Sequence, residues 1–147
     1  MRVLADTNIL LRRIHSAHPQ HRLTRDVITQ IVDRGDLLCV TVQNLIECWA
    51  VCTRPVENNG LGLLPSHADR ILSRIESAAF RLGEDDAIYT EWRKLVFTQG
   101  VSGKKSHDAR LVASMKVHGL THILTFNVDD FRRYDGITAL SPTELTR

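Results

Sequence analysis

The chain has 147 residues, of which 43% are hydrophobic and 24% charged, a composition that indicates one globular domain and excludes a wholly disordered chain. Its 19 basic and 17 acidic residues leave a net charge of +2, too small to indicate nucleic-acid binding by itself. The sequence shows neither a leader-like start nor an apolar run of about 18–20 residues, so we expect a soluble, cytoplasmic protein without a membrane segment.

Short apolar stretches alternate with amphipathic ones, which is typical of an α/β domain with a mainly parallel sheet. We predict strands at residues 3–5, 37–40, 80–82, 122–126 and about 137–140. We predict helices at 6–15, 42–53, 66–79, 84–99 and 106–118, and one more that ends near residue 34. Thr41 and Ser66 are the predicted caps of two of these helices, and Gly119 ends another.

Three cysteines, Cys39, Cys48 and Cys52, do not form a zinc-binding pattern, because the second compact pair of ligands that such a site needs does not stand out in the sequence. We predict reduced, partly buried thiols.

An acidic residue follows the first predicted strand. Asp6 comes directly after residues 3–5, and the ligand-binding crevice of an open α/β sheet lies outside the carboxyl ends of its strands. Asp is also a favoured helix N-cap, so a purely capping role stays open.

A second acid lies on the apolar stripe of the helix predicted at 106–118. Asp108 shares one face with Leu111, Val112 and Met115, at spacings of three, four and seven residues. A carboxylate that points toward the sheet is costly unless it is paired or bound to a cation. The alternative is an acid that interacts with the helix dipole, which explains its place in the first turn but not its face.

Glu47 lies on the helix predicted at 42–53 and is ambiguous on its own. The apolar stripe that we predict for this helix consists of Val42, Leu45, Ile46, Trp49 and Ala50. Glu47 falls off that stripe, as an ordinary solvated acid would. Glu47 becomes a candidate for the functional site only because other candidate carboxylates are present in the chain.

The strand predicted at 122–126 ends in a polar turn that contains two acids. Such an Asn-x-Asp run is also typical of an ordinary turn. Asp130 lies next to Phe131, which we expect to be buried, and is the better inward-facing candidate. Asp129 is expected to face water.

Carboxylates that converge raise one another's pKa, so such a cluster calls for a cation. Mg²⁺ and Mn²⁺ prefer carboxylate and water oxygens. Metals held in this way support in-line hydrolysis of phosphodiesters, because they activate water and stabilise the leaving oxygen. We therefore predict phosphodiester hydrolysis that depends on Mg²⁺ or Mn²⁺.

Four segments resemble the PIN-domain family, and especially the VapC-type toxins of bacterial toxin–antitoxin pairs. They are Asp6-Thr7-Asn8, Glu47 on its helix, the run SHDARLVA from Ser106 and the run LTFNVDDF from Leu124. The resemblance covers nearly the whole chain. It implies a single three-layer α/β/α domain over residues 1–147 and a Mg²⁺- or Mn²⁺-dependent endoribonuclease that uses metal-activated water. It also implies a homodimer that a cognate antitoxin protein inhibits.

The resemblance assigns roles to individual residues. The implied catalytic and metal-binding residues are Asp6, Glu47, Asp108 and Asp130, and the implied supporting residues are Thr7, Asn8, Thr125 and Asn127. Asp6 and Asp108 would hold the principal metal. Many PIN domains have Asp at the position of Asn127, and others have Asn there with an Asp three residues later, as this chain does. The fourth role is therefore assigned here to Asp130, and Asn127 is either a neutral ligand or a hydrogen-bonding support.

Basic residues near these segments are candidates for contacts with RNA phosphates, with ordinary solvated helix faces as the alternative. They are Arg12, Arg13, Lys104, Lys105 and Arg110. His107 adjoins Asp108, but helix neighbours point about 100° apart, so we predict a capping or surface role for it.

Two other functions stay open. The same metal chemistry suits a nuclease acting on structured DNA, and Asn127 keeps open a catalytically weak PIN domain that binds RNA or a protein. A phosphatase of the haloacid dehalogenase type is excluded, because it needs a second Asp where this chain has Asn8.

Overall fold

The computed structural model describes residues 1–145, so Thr146 and Arg147 of the predicted domain lie outside the described residues. Five parallel strands form one sheet in the order β3-β2-β1-β4-β5. The strands are β1 (Arg2–Ala5), β2 (Leu37–Val40), β3 (Phe80–Arg81), β4 (His122–Leu124) and β5 (Thr138–Leu140). The helices are α1 (Thr7–Ile14), α2 (His21–Asp33), α3 (Val42–Thr53), α4 (Pro65–Ala78), α5 (Asp86–Thr98), α6 (Lys105–His118) and α7 (Pro142–Leu145), with short 3₁₀ turns at Val56–Asn58 and Val128–Phe131.

Side chains of the central strands alternate between two apolar clusters, as the pleat of a strand requires. Val3 and Ala5 belong to the cluster that includes buried residues of α1, α2, α3 and α4. Leu4 belongs to the cluster on the other face, with α5 and α6. Helices therefore cover both faces of the sheet, and the predicted three-layer α/β/α fold is confirmed. Within residues 1–145, every helix is too short or too polar to cross a membrane.

The order of the strands reverses at β1, which has β2 on one side and β4 on the other. The carboxyl ends of β1 and β4 are adjacent, since the Asp6 N–H donates to the Leu124 carbonyl at 2.9 Å. Ligands of open α/β sheets bind at such a switch point. The topology therefore brings Asp6 and the turn after β4 to the same crevice.

Several predicted boundaries differ from the structure by one or two residues, and two of these differences have a clear physical reason or consequence. β4 ends at Leu124 and not at residue 126. α4 begins at Pro65, after Leu64, which makes no capping side-chain hydrogen bond, and Ser66 is not its cap. Proline suits the first helical position because its missing N–H would have no partner within the helix.

The predicted apolar stripe of α3 is only partly right, because Leu45 is buried and Trp49 packs against the core but Ala50 is exposed. The buried residues of α3 are Gln43, Asn44, Leu45, Cys48 and Cys52, whereas Ile46 is 63% exposed. Polar residues occupy the inner face because they have partners there. Asn44 completes a capping box with Thr41 and donates to Thr7 Oγ1 at 3.1 Å.

Candidate active site

Asp6 caps α1 and also faces the other polar residues of the crevice. Its Oδ1 accepts a hydrogen bond from the Thr7 N–H at 2.8 Å. Its Oδ2 accepts from Thr125 Oγ1 at 2.7 Å and from Asn8 Nδ2 at 3.2 Å. Capping and a place at the crevice are thus not alternatives, because the carboxylate uses a different oxygen for each.

The pKa of Asp6 is raised, chiefly by burial. Hydrogen bonds from Thr125 and Thr7 act in the opposite direction, and the negative charges of Glu47 and Asp130 raise the pKa further. Negative charge from α3 and from the turn Val128–Phe131, both distant from Asp6 in the sequence, therefore acts on Asp6.

Glu47 is partly buried and has hydrogen-bond donors on both of its oxygens. Thr7 Oγ1 donates to Oε2 at 2.7 Å, and Gln43 Nε2 donates to Oε1 at 2.9 Å. The Gln43 contact lies within α3, but the contact from Thr7 of α1 distinguishes Glu47 from an ordinary solvated helix acid. Thr7 links Glu47 to the residue that follows Asp6.

Asp108 lies in the first turn of α6 and is only partly exposed. Burial is the largest cause that raises its pKa, to about 6, followed by the charges of Asp6, Asp130 and Glu47. The neighbouring His107 acts in the opposite direction. All four predicted carboxylates are therefore electrostatically coupled.

Thr125 and Asn8 connect the turn after β4 to Asp6. Thr125 is fully buried, and its Oγ1 accepts from the backbone N–H of Asn127 at 2.9 Å. Asn8 donates to Thr125 Oγ1 at 3.3 Å and accepts from the Phe126 N–H at 3.2 Å. These contacts fix the start of the turn relative to Asp6, while Asn127 itself is exposed.

The two acids of the turn Val128–Phe131 differ in their surroundings. The charge of Asp130 raises the pKa of both Asp6 and Asp108. The side chain of Asp129 is 84% exposed and forms an ion pair with Arg132 at 2.8 Å. The structure thus brings Asp130 to the carboxylates and leaves Asp129 in solvent.

The chemistry of these carboxylates fits a hard divalent cation, because carboxylate oxygens are ligands that Mg²⁺ and Mn²⁺ prefer. Among residues 1–145, however, no three His, Cys, Asp or Glu side chains are arranged to hold one ion. Mg²⁺ is commonly bound through one or two carboxylates, with waters and substrate phosphates as its other ligands. A site of that kind needs no cage of three side chains.

Comparison with known proteins identifies the family. Residues 3–137 match the PIN-domain family model. The chain belongs to the PIN-domain family. It is 26% identical over 145 residues to ribonuclease VapC24 of Mycobacterium tuberculosis, covering 91% of this chain and 96% of the relative. The resemblance seen in the sequence is confirmed.

Solved structures share the fold of this PIN domain. VapBC-1 from nontypeable Haemophilus influenzae matches with a TM-score of 0.70 and 17% identity, covering 97% of this chain and 99% of that one. A toxin–antitoxin complex from Klebsiella pneumoniae matches with a TM-score of 0.64 and 18% identity, covering 95% and 97%.

Two buried amides of the PIN domain were missed by the sequence analysis. Besides binding Glu47, Gln43 Nε2 donates to the His107 carbonyl at 2.9 Å, and Gln43 Oε1 accepts from Arg110 Nη1 at 3.2 Å. Gln43 and Asn44 directly follow the start of a helix whose cap, Thr41, is itself buried. The available signal was the pair of consecutive amide side chains at the start of the helix. Apolar periodicity could not detect it, because that pattern counts only apolar residues.

Of the five predicted RNA-contacting residues, Arg110 has a contact within this site. It binds Gln43 and forms an ion pair with Glu84 at 3.0 Å. Arg12 donates to Gln20 at 3.1 Å, and Arg13 lines a separate cavity of about 500 Å³ with residues of α2 and α4. Lys104 and Lys105 are exposed at the start of α6.

His107 is exposed, in keeping with a surface position. Lys104, not His107, occupies the N-cap position of α6, and it makes no capping side-chain hydrogen bond.

The three cysteines are buried free thiols. Burial raises the pKa of Cys48 to about 12 and also raises the pKa values of Cys39 and Cys52. Thiols with such pKa values are protonated near neutral pH and are poor nucleophiles and metal ligands.

Proposed function

We propose that this PIN domain is a Mg²⁺- or Mn²⁺-dependent endoribonuclease, the cytoplasmic toxin of a toxin–antitoxin pair. At the switch point of a parallel sheet, burial and then the charges of neighbouring acids from other segments raise the pKa of Asp6 and of Asp108, and this is the observation that carries the proposal. Burial of uncompensated like charges is costly, so the arrangement favours a bound cation.

Each carboxylate has a part in the proposed site. Asp6 and Asp108 would hold the principal metal, and Glu47 and Asp130 would complete the site through waters or a second cation. When bound, the metal neutralises the carboxylates and lowers the pKa of water, so that hydroxide is available for in-line attack on a phosphodiester.

Neighbouring residues orient the carboxylates of this site. Hydrogen bonds from Thr125 and Asn8 hold one oxygen of Asp6. Thr7 and Gln43 hold Glu47. Because these donors stabilise the ionised carboxylates, they keep them available as ligands.

Similarity to a protein named as a ribonuclease supports RNA as the substrate. Similarity to a toxin–antitoxin complex supports an antitoxin partner.

Light scattering of the purified protein tests the homodimer that we propose. Co-purification with the product of an adjacent gene tests the antitoxin, and a protein that neither binds such a product nor slows growth would contradict the toxin role.

Digestion of matched substrates tests the activity. Labelled single-stranded RNA and DNA of one sequence are incubated with chelated protein and then with Mg²⁺, Mn²⁺ or Zn²⁺. We expect RNA cleavage with Mg²⁺ or Mn²⁺, products with 5′-phosphate and 3′-hydroxyl ends, and no requirement for Zn²⁺. Cleavage by fully chelated protein would contradict the proposed chemistry. Preference for DNA would support the DNA nuclease, and RNA binding without cleavage would support the binding module.

A further inference from the structure

A cavity of about 730 Å³ lies against the N-terminal turns of α5 and α6. Two of the aromatic side chains of α5, Tyr89 and Trp92, line it, with ring centroids 5.9 Å apart and planes inclined by 31°. Its other lining residues include Glu84, Ser106, His107 and Arg110. The volume falls in the range of roughly 300–1,000 Å³ that is common for small-molecule sites.

This aromatic cavity lies close to Glu47, one of the four carboxylates of the candidate site. A second cavity of about 420 Å³ is lined by Gln43 and Glu47, and it shares Glu84, His107 and Arg110 with the aromatic cavity. Arg110 binds Gln43, which in turn binds Glu47. A nucleic-acid strand with a phosphate near Glu47 can therefore extend past Arg110 into the aromatic cavity.

The aromatic pair is anchored on one side and open on the other. Trp92 is partly buried, and its Nε1 donates to the Ser106 carbonyl at 2.8 Å, which ties α5 to the start of α6. Tyr89 is 60% exposed. A fixed indole beside an accessible phenol ring forms a platform for stacking, and aromatic rings stack the unpaired bases of single-stranded nucleic acids.

The charges around the aromatic cavity favour a base over a phosphate. Glu84 is paired with Arg110 at 3.0 Å, and Asp85 caps α5 by accepting from the Ala87 N–H at 2.8 Å. Asp86 adds a third carboxylate. Carboxylates repel phosphate, but they accept hydrogen bonds from the amino groups of bases, as in the pairing of Asp or Glu with cytosine N4.

We propose that the aromatic cavity is a nucleobase subsite, which stacks an unpaired base with an exocyclic amino group beside the scissile phosphate of single-stranded RNA. The identity of the strand as RNA rests on the function proposed above. The subsite makes Tyr89 a specificity-determining residue of this chain.

Binding measurements in EDTA test the subsite without cleavage. Fluorescence anisotropy gives the Kd of labelled adenosine, cytidine and uridine oligomers and of an abasic oligomer of equal length. We expect the first two to bind more tightly than the others. Tyr89→Ala should weaken adenosine and cytidine binding about 5- to 150-fold, the range for one base stacked on an aromatic ring, and should leave abasic binding unchanged. In Mg²⁺, the same variant should raise KM more than it lowers kcat.

Two variants serve as controls for Tyr89→Ala. Tyr89→Phe keeps the ring and should bind like the wild-type protein. Phe97→Ala removes another aromatic side chain of α5, 87% exposed, which does not line the aromatic cavity, and should change nothing. Circular dichroism checks that all three variants are folded.

Several outcomes would overturn the subsite. The first is equal binding of adenosine and abasic oligomers by the wild-type protein, and the second is unchanged binding by Tyr89→Ala. The third is Tyr89-dependent binding of oligoarginine in place of RNA, which would mean that the carboxylates of the aromatic cavity bind a basic peptide. Equal binding of uridine would refute the preference for amino groups. Wild-type protein that shows the Tyr89-dependent preference but cuts no RNA in Mg²⁺ or Mn²⁺ would refute the proposed function and leave the subsite standing.

Discussion

At the scale of single residues, Asp6 shows how one side chain serves both the fold and the proposed chemistry. One of its oxygens caps α1, and the other accepts hydrogen bonds from Thr125 and Asn8. Asn is as good a helix cap as Asp but lacks the charge. Substitution can therefore separate the two roles.

We predict that Asp6→Asn and Asp6→Ala both reduce RNA cleavage about 100-fold or more, because a charged metal ligand is lost. Asp6→Ala should also lose about 0.5–2 kcal/mol of unfolding free energy with its cap, whereas Asp6→Asn should not. Cleavage assays and urea denaturation measure the two effects. Metal-dependent cleavage at the wild-type rate in Asp6→Asn would refute the assignment of Asp6.

The turn after β4 allows a second test with neighbouring acids. Asp130→Ala should weaken Mn²⁺ affinity and slow cleavage about 10–100-fold, because its charge acts on Asp6 and Asp108. Asp129→Ala removes an exposed ion pair with Arg132 and should change stability by at most about 0.5 kcal/mol. Calorimetric titration of Mn²⁺ compares the two variants. The opposite ranking would reverse the assignment of the two acids.

Asn127→Asp probes the position at which many PIN domains carry an acid. Its added charge should tighten Mn²⁺ binding if the side chain lies beside the metal, and should leave affinity unchanged if Asn127 only supports the turn. Because Asn127 is exposed and its backbone N–H binds Thr125, we expect the second result. Mn²⁺ titration of this variant against the wild-type protein decides between them.

Asp6 and Asp108 could be predicted from the sequence because each leaves a local trace, whereas Glu47 became a candidate only together with the other acids. Asp6 follows an apolar strand, and Asp108 lies in register with the apolar residues of its helix. Gln43 and Asn44 leave no such trace. Their burial depends on partners 37 to 67 residues away in the chain, such as Thr7, His107 and Arg110, and periodicity within one helix carries no information about those partners.

At the scale of elements, Gln43 joins α3 to α6 at the point where each helix carries a proposed metal ligand. Its Nε2 binds the Glu47 carboxylate and the His107 carbonyl, each at 2.9 Å. The residue after His107 is Asp108. Gln43 therefore fixes the position of one carboxylate-bearing helix relative to the other.

We predict that Gln43→Met, which keeps the side-chain length but not the amide, slows cleavage and weakens Mn²⁺ affinity by about 10–100-fold. Gln43→Glu should be more damaging, because it adds a negative charge beside Glu47. Gln30→Met, at an exposed glutamine of α2, is the matched control. Unchanged kcat and Mn²⁺ affinity in Gln43→Met would show that α3 and α6 are aligned without this bridge.

At the scale of the whole molecule, the fold class could be predicted but the strand order could not. Alternation of apolar strands and amphipathic helices indicates a parallel sheet covered on both faces. Placement of β4 beside β1, and not beside β3, depends on packing between distant segments. That placement creates the crevice at which the acids meet.

Burial of Asp6 and Asp108, together with the charges of the other acids in the crevice, should contribute a loss of stability to the metal-free protein as pH rises. The pKa of Asp108 is raised from 3.8 to about 6. Between about pH 4 and pH 6 the folded protein binds more protons at this group than the unfolded chain does, so its contribution to stability is present at low pH and lost as pH rises through 6. Burial also raises the pKa of Asp6, so the contribution of Asp6 to stability likewise falls as pH rises.

We predict that Asp108→Asn removes this loss, so in EDTA the Tm of the variant should rise relative to wild type as pH increases from about 4 to 7. Asp129→Asn makes the same change of charge at an exposed site and should give a nearly flat difference. Differential scanning calorimetry measures both. Saturating Mg²⁺ should stabilise the wild-type protein, by about 2.7 kcal/mol at a hundred times Kd, and should stabilise Asp108→Asn less. A Tm difference that does not change with pH would show that the pKa of Asp108 is not raised in the folded protein.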